Sequence, residues 1–350
     1  MPLRSFKDSI NRALVYSMKK DKNMLCFGLG TTDPKGVFGT TLGLEKKFGK
    51  KRVFDMPTSE NAMTGVSIGA SLNGIRSVVT HQRLDFFLLA MDQLINSAAK
   101  YHYMYGSQLS VPITIRLIIG RGWGQGPTHS QNLQALFNHI PGLKIVAPTF
   151  PNDAKSMLIS SIFDPNPVLF LEHRWLFDLK EKRKSGIKKI GRSNIILKGK
   201  DITVVSFSYL TIETIKASKI LNKFYNINLE IVDLVSLKPI DYKTIFQSIK
   251  KTRNVIVLDT GFSSGSIAND IIYNIIHSKY KLNSKPIKLA MPNVPEPTSY
   301  GLTKNFYVDE IKISNQVLSS LKIKKRKHSI KNFSKKKYHD IPGDWFKGPF

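Results

Sequence analysis

The residues best suited to chemistry stand at Gly120-Arg-Gly-Trp-Gly-Gln-Gly-Pro-Thr-His129-Ser130-Gln131, where four glycines and a proline lead into a histidine. Glycine lets a backbone take positive φ or pass close to a ligand. A histidine just beyond is the side chain most readily recruited for proton transfer near neutral pH. Upstream, residues 111–119 form an apolar, strand-like run in which Thr114 and Arg116 are the polar interruptions. Downstream, Leu133, Leu136 and Phe137 have the i, i+3, i+4 spacing of a helix over 132–139. Strand, glycine loop, polar cluster and helix together are the layout of a site at the carboxyl end of a sheet. A loop with an incidental histidine fits the same residues, and this stretch alone does not choose between the two.

Such a loop needs a frame, and the 350 residues are enough for two domains, each with its own core. The first part of the chain alternates. Helical spacing covers 5–20, 61–72, 86–105 and 152–163, with a helical turn at 42–48. Strand-like runs cover 24–28, 77–80, 111–119, 144–147 and 168–172. The small residues Ala62, Gly65, Ser67, Gly69 and Ala70 suit the helix over 61–72 to close packing. A second alternating unit follows, with strands over 202–207, 229–233, 254–259 and 287–290 and helices over 212–225, 242–250 and 264–280. Strands regularly separated by helices imply mostly parallel sheets covered on both faces. The expected fold is therefore α/β, as two three-layer α/β/α domains over 1–178 and 201–320. A basic linker at 179–200 and a basic tail at 321–350 complete it.

Lys+Arg total 53 against 25 Asp+Glu, a net charge of +28. Residues 180–200 hold nine Lys/Arg and one acid, and residues 321–350 hold ten and two. Runs like these attract nucleic acid or acidic partners. Neither is interleaved with regularly spaced aromatics, and no helix-turn-helix, zinc or single-strand-binding signature accompanies them. Solvated surface is the reading preferred over nucleic-acid binding. Trp345, Phe346 and Phe350 suit the end of the tail to anchoring on a partner or on the body. No apolar run reaches the ~18 residues of a membrane span. The single cysteine, Cys26, rules out an intrachain disulfide framework and fits a reducing cytoplasm.

Several longer motifs come in a telling order. They are Arg52-Val-Phe-Asp-Met-Pro-Thr-Ser-Glu60, Asp92-Gln-Leu-Ile-Asn-Ser-Ala-Ala-Lys-Tyr101, Thr128-His-Ser-Gln131, His139-Ile-Pro-Gly-Leu-Lys-Ile-Val-Ala-Pro148 and Asp164-Pro-Asn-Pro-Val168. Together with Ile231-Val-Asp-Leu234 and Lys238-Pro-Ile-Asp241 they resemble the β-subunit of the thiamine-diphosphate-dependent decarboxylating component of 2-oxo acid dehydrogenases. The resemblance covers roughly residues 5–315. It implies a pyrimidine-binding transketolase-like domain followed by a transketolase C-terminal-like domain. It also implies a homodimer of this chain within a heterotetramer. The cofactor then sits at an interface, with its diphosphate and Mg²⁺ held by an α-type partner carrying a Gly-Asp-Gly motif. This chain has no Gly-Asp-Gly, so it is expected to hold half a site.

Site roles follow by position. Glu60 matches the carboxyl that drives the cofactor's aminopyrimidine into its imino form, a task that needs a dry pocket; read without the family, it is an N-terminal helix charge. Thr58 lies on the same cofactor-binding segment. Phe86 matches the ring that stacks on the pyrimidine, and otherwise reads as a core aromatic. His129 matches the histidine facing the reactive carbon, which stabilises charge on the substrate and assists acyl transfer to a lipoyl group. Ile113, Ser161, Ile162, Asp164 and Asn166 occupy positions resembling a structural K⁺ site, whose oxygen donors suit a hard cation; the alternative is an Asx-capped turn.

Three departures bear on specificity. Gly28-Leu-Gly-Thr lacks the acids that the family often carries after its first strand. Thr80-His-Gln-Arg-Leu-Asp85 is polar where the family is apolar, and Arg121, Trp123 and Gln125 replace small residues. His81, Arg83, Arg121 and Gln125 are therefore candidate substrate contacts, for a substrate differing from pyruvate. The tail's charge disfavours docking of the basic binding module of a lipoyl-bearing acyltransferase. The competing readings are the C-terminal half of a split transketolase-like enzyme and a non-catalytic scaffold paralogue.

Overall fold

A computed structural model describes residues 3–121, 125–182, 186–324, 341–342 and 346. Two sheets organise them. The first runs in the order Ser236–Lys238, Lys144–Val146, Val168–His173, Ile113–Ile119, Ser77–His81, Leu25–Gly28, Val53–Asp55. All its neighbours are parallel except Ser236–Lys238, which pairs antiparallel with Lys144–Val146. The second runs Ile287–Met291, Val255–Phe262, Ile202–Ser206, Leu229–Asp233, Asn194–Leu197, and only its last strand is antiparallel.

Ile113–Ile119 shows why the central strands read as apolar runs: all seven residues are buried, as in a parallel sheet covered on both faces. Arg116 is the exception in chemistry. Its guanidinium is neutralised by Glu172 of the neighbouring strand, at 2.6 Å from Nε and 2.9 Å from Nη2, and Nη2 also reaches Thr40 Oγ1 at 2.8 Å. Helix Phe6–Lys20 starts at a capping box in which Ser5 and Asp8 satisfy each other's backbone N–H, and it packs on helix Pro151–Ile162. One apolar core continues from the first sheet into the second, joining Leu169 and Leu171 to Val205, Val232 and Leu234. The halves therefore meet along a buried seam.

Three details differ from the sequence expectations. The stretch expected as one helix over 86–105 is broken into Leu84–Phe87, a tight turn at Leu88–Ala90, a wide-turn segment Gln93–Ala98 and Tyr101–Met104. Ala99 N–H bonds Leu94 O across five residues, the mark of that wider turn. The basic segment expected as linker contributes structure at both ends: Lys180–Glu181 pairs with Arg4–Ser5, and Asn194–Leu197 forms the edge of the second sheet. Strand Ser236–Lys238, beyond that linker, returns to complete the first sheet. It follows Leu229–Asp233 of the other sheet with no helix between the two strands, so alternation could not announce it.

Candidate functional site

The carboxyl ends of the parallel strands carry the expected residues. After edge strand Val53–Asp55 the chain passes the exposed Thr58 and enters helix Glu60–Leu72, capped by Ser59 Oγ on Ala62 N–H at 3.4 Å. Glu60, the first residue of that helix, is 4% exposed, and its carboxyl takes no hydrogen bond from any described residue. The helix packs on the Leu88–Ala90 turn, just beyond Phe86. Phe86 itself is 40% exposed. Its ring meets the His129 imidazole edge-on, with centroids 5.3 Å apart and planes at 84°. His129 is half-buried, and its Nδ1 lies 2.9 Å from Thr128 Oγ1. Phe86 and His129 thus form one wall.

Behind that wall lies a polar layer. Asp85 Oδ1 accepts from the backbone N–H and the side-chain amide of Gln131, at 3.3 and 2.9 Å, and so fixes the turn that holds His129. Arg83 is buried, donates from Nη1 to Gly120 O at 2.8 Å and bonds Gln125 Oε1. Burial, reinforced by nearby Arg174, pushes its guanidinium down to about 10. Arg121 lies between two aromatic faces, 4.2 Å above the Trp175 ring and 3.6 Å above that of Tyr307. His81 is 1% exposed and meets Phe87 edge-on at 4.9 Å. Burial pushes it down to about 3, so the ring is neutral at pH 7, and neither nitrogen has a hydrogen-bond partner among the described residues. Of the four candidate substrate contacts, then, Arg83 and Gln125 are bonded to each other, Arg121 is held by aromatic rings and His81 lies in the core. Trp123 falls outside the described residues.

Gly120 sits at φ +78°, and a Cβ there would come 2.2 Å from His173 Nε2, so both conformation and space require glycine. His173 accepts the Trp175 backbone N–H at Nδ1 (3.2 Å) and stacks on Tyr209 with centroids 5.1 Å apart. Burial first, then Arg121 and Arg83, push it down to about 3.

The positions resembling a K⁺ site gather at the end of helix Pro151–Ile162. Asp164 accepts the Lys144 ammonium at 2.6 and 2.8 Å and the Asn166 N–H at 2.9 Å. Arg76 Nη1 donates to the carbonyls of Ile162 and Asp164 at 3.2 and 3.4 Å. Asn166 Oδ1 is buried and has no hydrogen-bond partner among the described residues, which leaves one acceptor for a hard cation. Ile113 opens the neighbouring central strand, and Ser161 O takes the Asp164 N–H.

Sequence reasoning missed Glu296 and Tyr307. Both come from the second domain and are buried or half-buried at the seam beside Arg121 and Asp85. Glu296 stands in a Pro-Glu-Pro loop that has no periodicity, and tertiary packing alone buries it.

Residues 4–178 match the transketolase pyrimidine-binding domain and residues 191–313 the transketolase C-terminal domain. The chain is 35% identical to the acetoin:2,6-dichlorophenolindophenol oxidoreductase subunit beta of Cupriavidus necator, over 84% of this chain and 90% of that one. It is 33% identical to the pyruvate dehydrogenase E1 component subunit beta of Rickettsia bellii, over 89% and 96%. Among solved structures, an inactive β4 tetramer of a split-gene transketolase superposes with a TM-score of 0.76 over 92% of this chain and 99% of that one. At 18% identity this likeness concerns the fold.

Proposed function

Because the chain belongs to the β-subunit family of pyruvate and acetoin dehydrogenases, we propose that, with an α-type partner, it carries out thiamine-diphosphate-dependent oxidative decarboxylation of a 2-oxo acid, with acyl transfer to a lipoyl group. The observation that carries this reading is the buried Glu60 carboxyl, unbonded within the described chain, at the same strand-end edge as the Phe86–His129 pair. Its oxygens are not among the fully enclosed unpartnered atoms, so a carboxyl on an otherwise buried side chain remains within reach of a ligand that can complete it.

When bound, thiamine diphosphate supplies the carbon nucleophile that cleaves the bond beside a carbonyl. Glu60 holds a proton at the ring nitrogen of the aminopyrimidine, and Thr58 lies two residues before it on the same loop. Phe86 offers the ring a flat, half-exposed face. His129, with Nδ1 engaged by Thr128, presents Nε2 to stabilise charge on the substrate and to move a proton during acyl transfer. Gln131 and Asp85 hold that imidazole in place.

The partner holds the diphosphate and Mg²⁺ through its Gly-Asp-Gly motif, and two copies of this chain pair within a heterotetramer. Ile113, Ser161, Ile162, Asp164 and Asn166 are the positions for K⁺: the orphaned Asn166 Oδ1 supports the reading, while Lys144 on the Asp164 carboxylate and Arg76 on the Ile162 and Asp164 carbonyls already bring two cationic groups to the same donors. The polar layer of Arg83, Gln125 and Arg121 favours a substrate other than pyruvate, whereas His81, enclosed against Phe87, lies in the core. Among the described residues no helix is long and apolar enough to cross a membrane, and the lone Cys26 supports a cytoplasmic setting.

The test is titration of thiamine diphosphate into the chain mixed with its α-type partner, followed by calorimetry. The native protein is expected to bind saturably, and Glu60→Gln to lose turnover. A native mixture that takes up no thiamine diphosphate would favour the scaffold reading and overturn this one.

A further inference from the structure

Residues 125–133, which carry His129, lie in neither helix nor strand. Their own backbone is tied by a long bond, from His129 N–H to Gly126 O at 3.4 Å. A proton-handling side chain on such a segment depends on what grips the segment from outside. Asp85 of the first domain supplies one grip, at 3.3 and 2.9 Å on Gln131, and both residues of that pair are half-buried. The second domain supplies another. Gln134, the first residue of helix Gln134–Asn138, is fully buried and donates across the seam to Asp259 Oδ1 at 2.6 Å and to Thr260 Oγ1 at 3.0 Å. Two acceptors at one amide atom identify that atom as the nitrogen.

Asp259 is itself fixed in place. It is fully buried, and its Oδ1 also accepts the Gly261 N–H at 2.8 Å, while Oδ2 accepts Ser266 Oγ at 2.6 Å and the Ile267 N–H at 2.9 Å. Ile267 opens helix Ile267–Ile276, so the carboxylate lies at a helix N-terminus, which favours its negative charge. Three donors of its own domain thus orient Asp259, and the fourth comes from the segment that carries His129. Close packing seals the same joint: a Cβ on Gly261 would come 2.8 Å from Asn132 O and 2.9 Å from Gln134 Nε2. At the start of the segment, a Cβ on Gly126 would come 2.2 Å from Thr298 Oγ1 of the second domain.

We propose that Asp259 is a positioning residue for His129, acting through Gln134 across the domain seam. A hydrogen bond to an ionised acceptor is among the stronger ones, and its burial makes an unmatched partner costly. The Gln134 grip is shorter than either bond of Asp85 and is the fully buried one of the two. The second domain therefore sets where the first domain's histidine stands.

The first test needs no turnover. It follows the His129 imidazole signal by NMR in the full-length chain, assigned by its loss in His129→Gln. Gln134→Met keeps the side chain's bulk, removes the amide and leaves Asp259 its three own-domain donors. The His129 signal is expected to shift in that variant. It is expected to stay in place in Ser248→Ala, which removes a buried second-domain hydroxyl bonded to Glu230 at 3.1 Å. An unmoved signal in Gln134→Met, or an equal shift in both variants, overturns the positioning role. Should Gln134→Met fail to fold, Gly261→Ala takes its place: the added methyl pushes Asn132 and Gln134 from the seam, and an unmoved His129 signal again overturns the proposal.

The second test rests on the thiamine-dependent reading and measures kcat and KM of the assembled enzyme. Gln134→Met is expected to lower kcat by about 10²-fold, the order of loss from a small misplacement, with KM for the 2-oxo acid little changed. An unchanged kcat, or an effect confined to KM, overturns the proposal. If the native enzyme does not turn over, the NMR result still decides the role of Asp259, and the failure belongs to the proposed activity.

Discussion

Glu60 and Asp233 are buried carboxyls with opposite circumstances, and the contrast separates function from structure. The Glu60 carboxyl makes no hydrogen bond to the described chain, although its carbonyl accepts from Thr64 Oγ1 at 2.9 Å. Glu60→Gln is therefore expected to leave the urea midpoint of the isolated chain nearly unchanged while lowering kcat of the assembled enzyme by roughly 10²–10⁴-fold, the range of a lost acid–base contribution. Asp233 accepts from Thr149 and Thr211 at 2.8 and 2.9 Å and is fully buried at the end of a second-sheet strand. Burial, with Asp153 nearby, pushes it up to about 7. Its stabilising proton is present below about pH 4 and lost as pH rises through about 7. Asp233→Asn should thus gain stability relative to the native chain over that window, as melting curves at pH 4.5 and 7.5 would show. At this scale the sequence was legible only where a longer motif framed the residue. Glu60 and His129 stood inside such motifs, whereas the proline-flanked Glu296 is buried by packing that no sequence period announces.

Elements were legible where periodicity was strong. The buried strands Ile113–Ile119 and Val168–His173 and the helix Pro151–Ile162 come out close to where apolar runs and helical spacing placed them. The stretch after Phe86 keeps helical spacing yet breaks into several helix types, because side-chain pattern records which face is buried and not how the backbone steps from turn to turn. Loops are set by space, and Gly120 tests this. Its φ of +78° is matched by Gly74 at +76°, where an added Cβ meets nothing within 4 Å. Gly74→Ala should cost about 1 kcal/mol, the left-handed penalty alone. Gly120→Ala must in addition displace His173, and with it the stacked Tyr209. A larger loss in urea unfolding is expected, together with a weaker Phe86–His129 wall. Equal losses for the two variants would show that the His173 contact carries no weight.

At the scale of the whole molecule, charge and seam act together. The two domains share one apolar core, and the described end of the tail packs on a second apolar cluster: Lys216 donates to Pro342 O at 2.8 Å, and the Phe346 ring meets Trp175 at 6.3 Å. Phe346 thus lies on the chain's own body, next to the ring that also supports Arg121, while Trp345 and Phe350 fall outside the described residues. Composition announced the charge but not this return, since a few aromatics after a basic run specify no partner. Residues 321–350 carry ten Lys/Arg against two acids, a net +8 of the chain's +28. A basic acyltransferase module approaching the tail meets repulsion that is screened over about 8 Å at physiological salt and over about 30 Å at 0.01 M. Association with such a module should be weakest in dilute buffer and rise as salt is added, the reverse of ordinary charge-steered docking. Sedimentation of the assembled enzyme with a basic acyltransferase core at 20 and 300 mM NaCl reads this directly. Tight binding at the lower salt would mean that acidic groups on another face, and not the tail, meet the core.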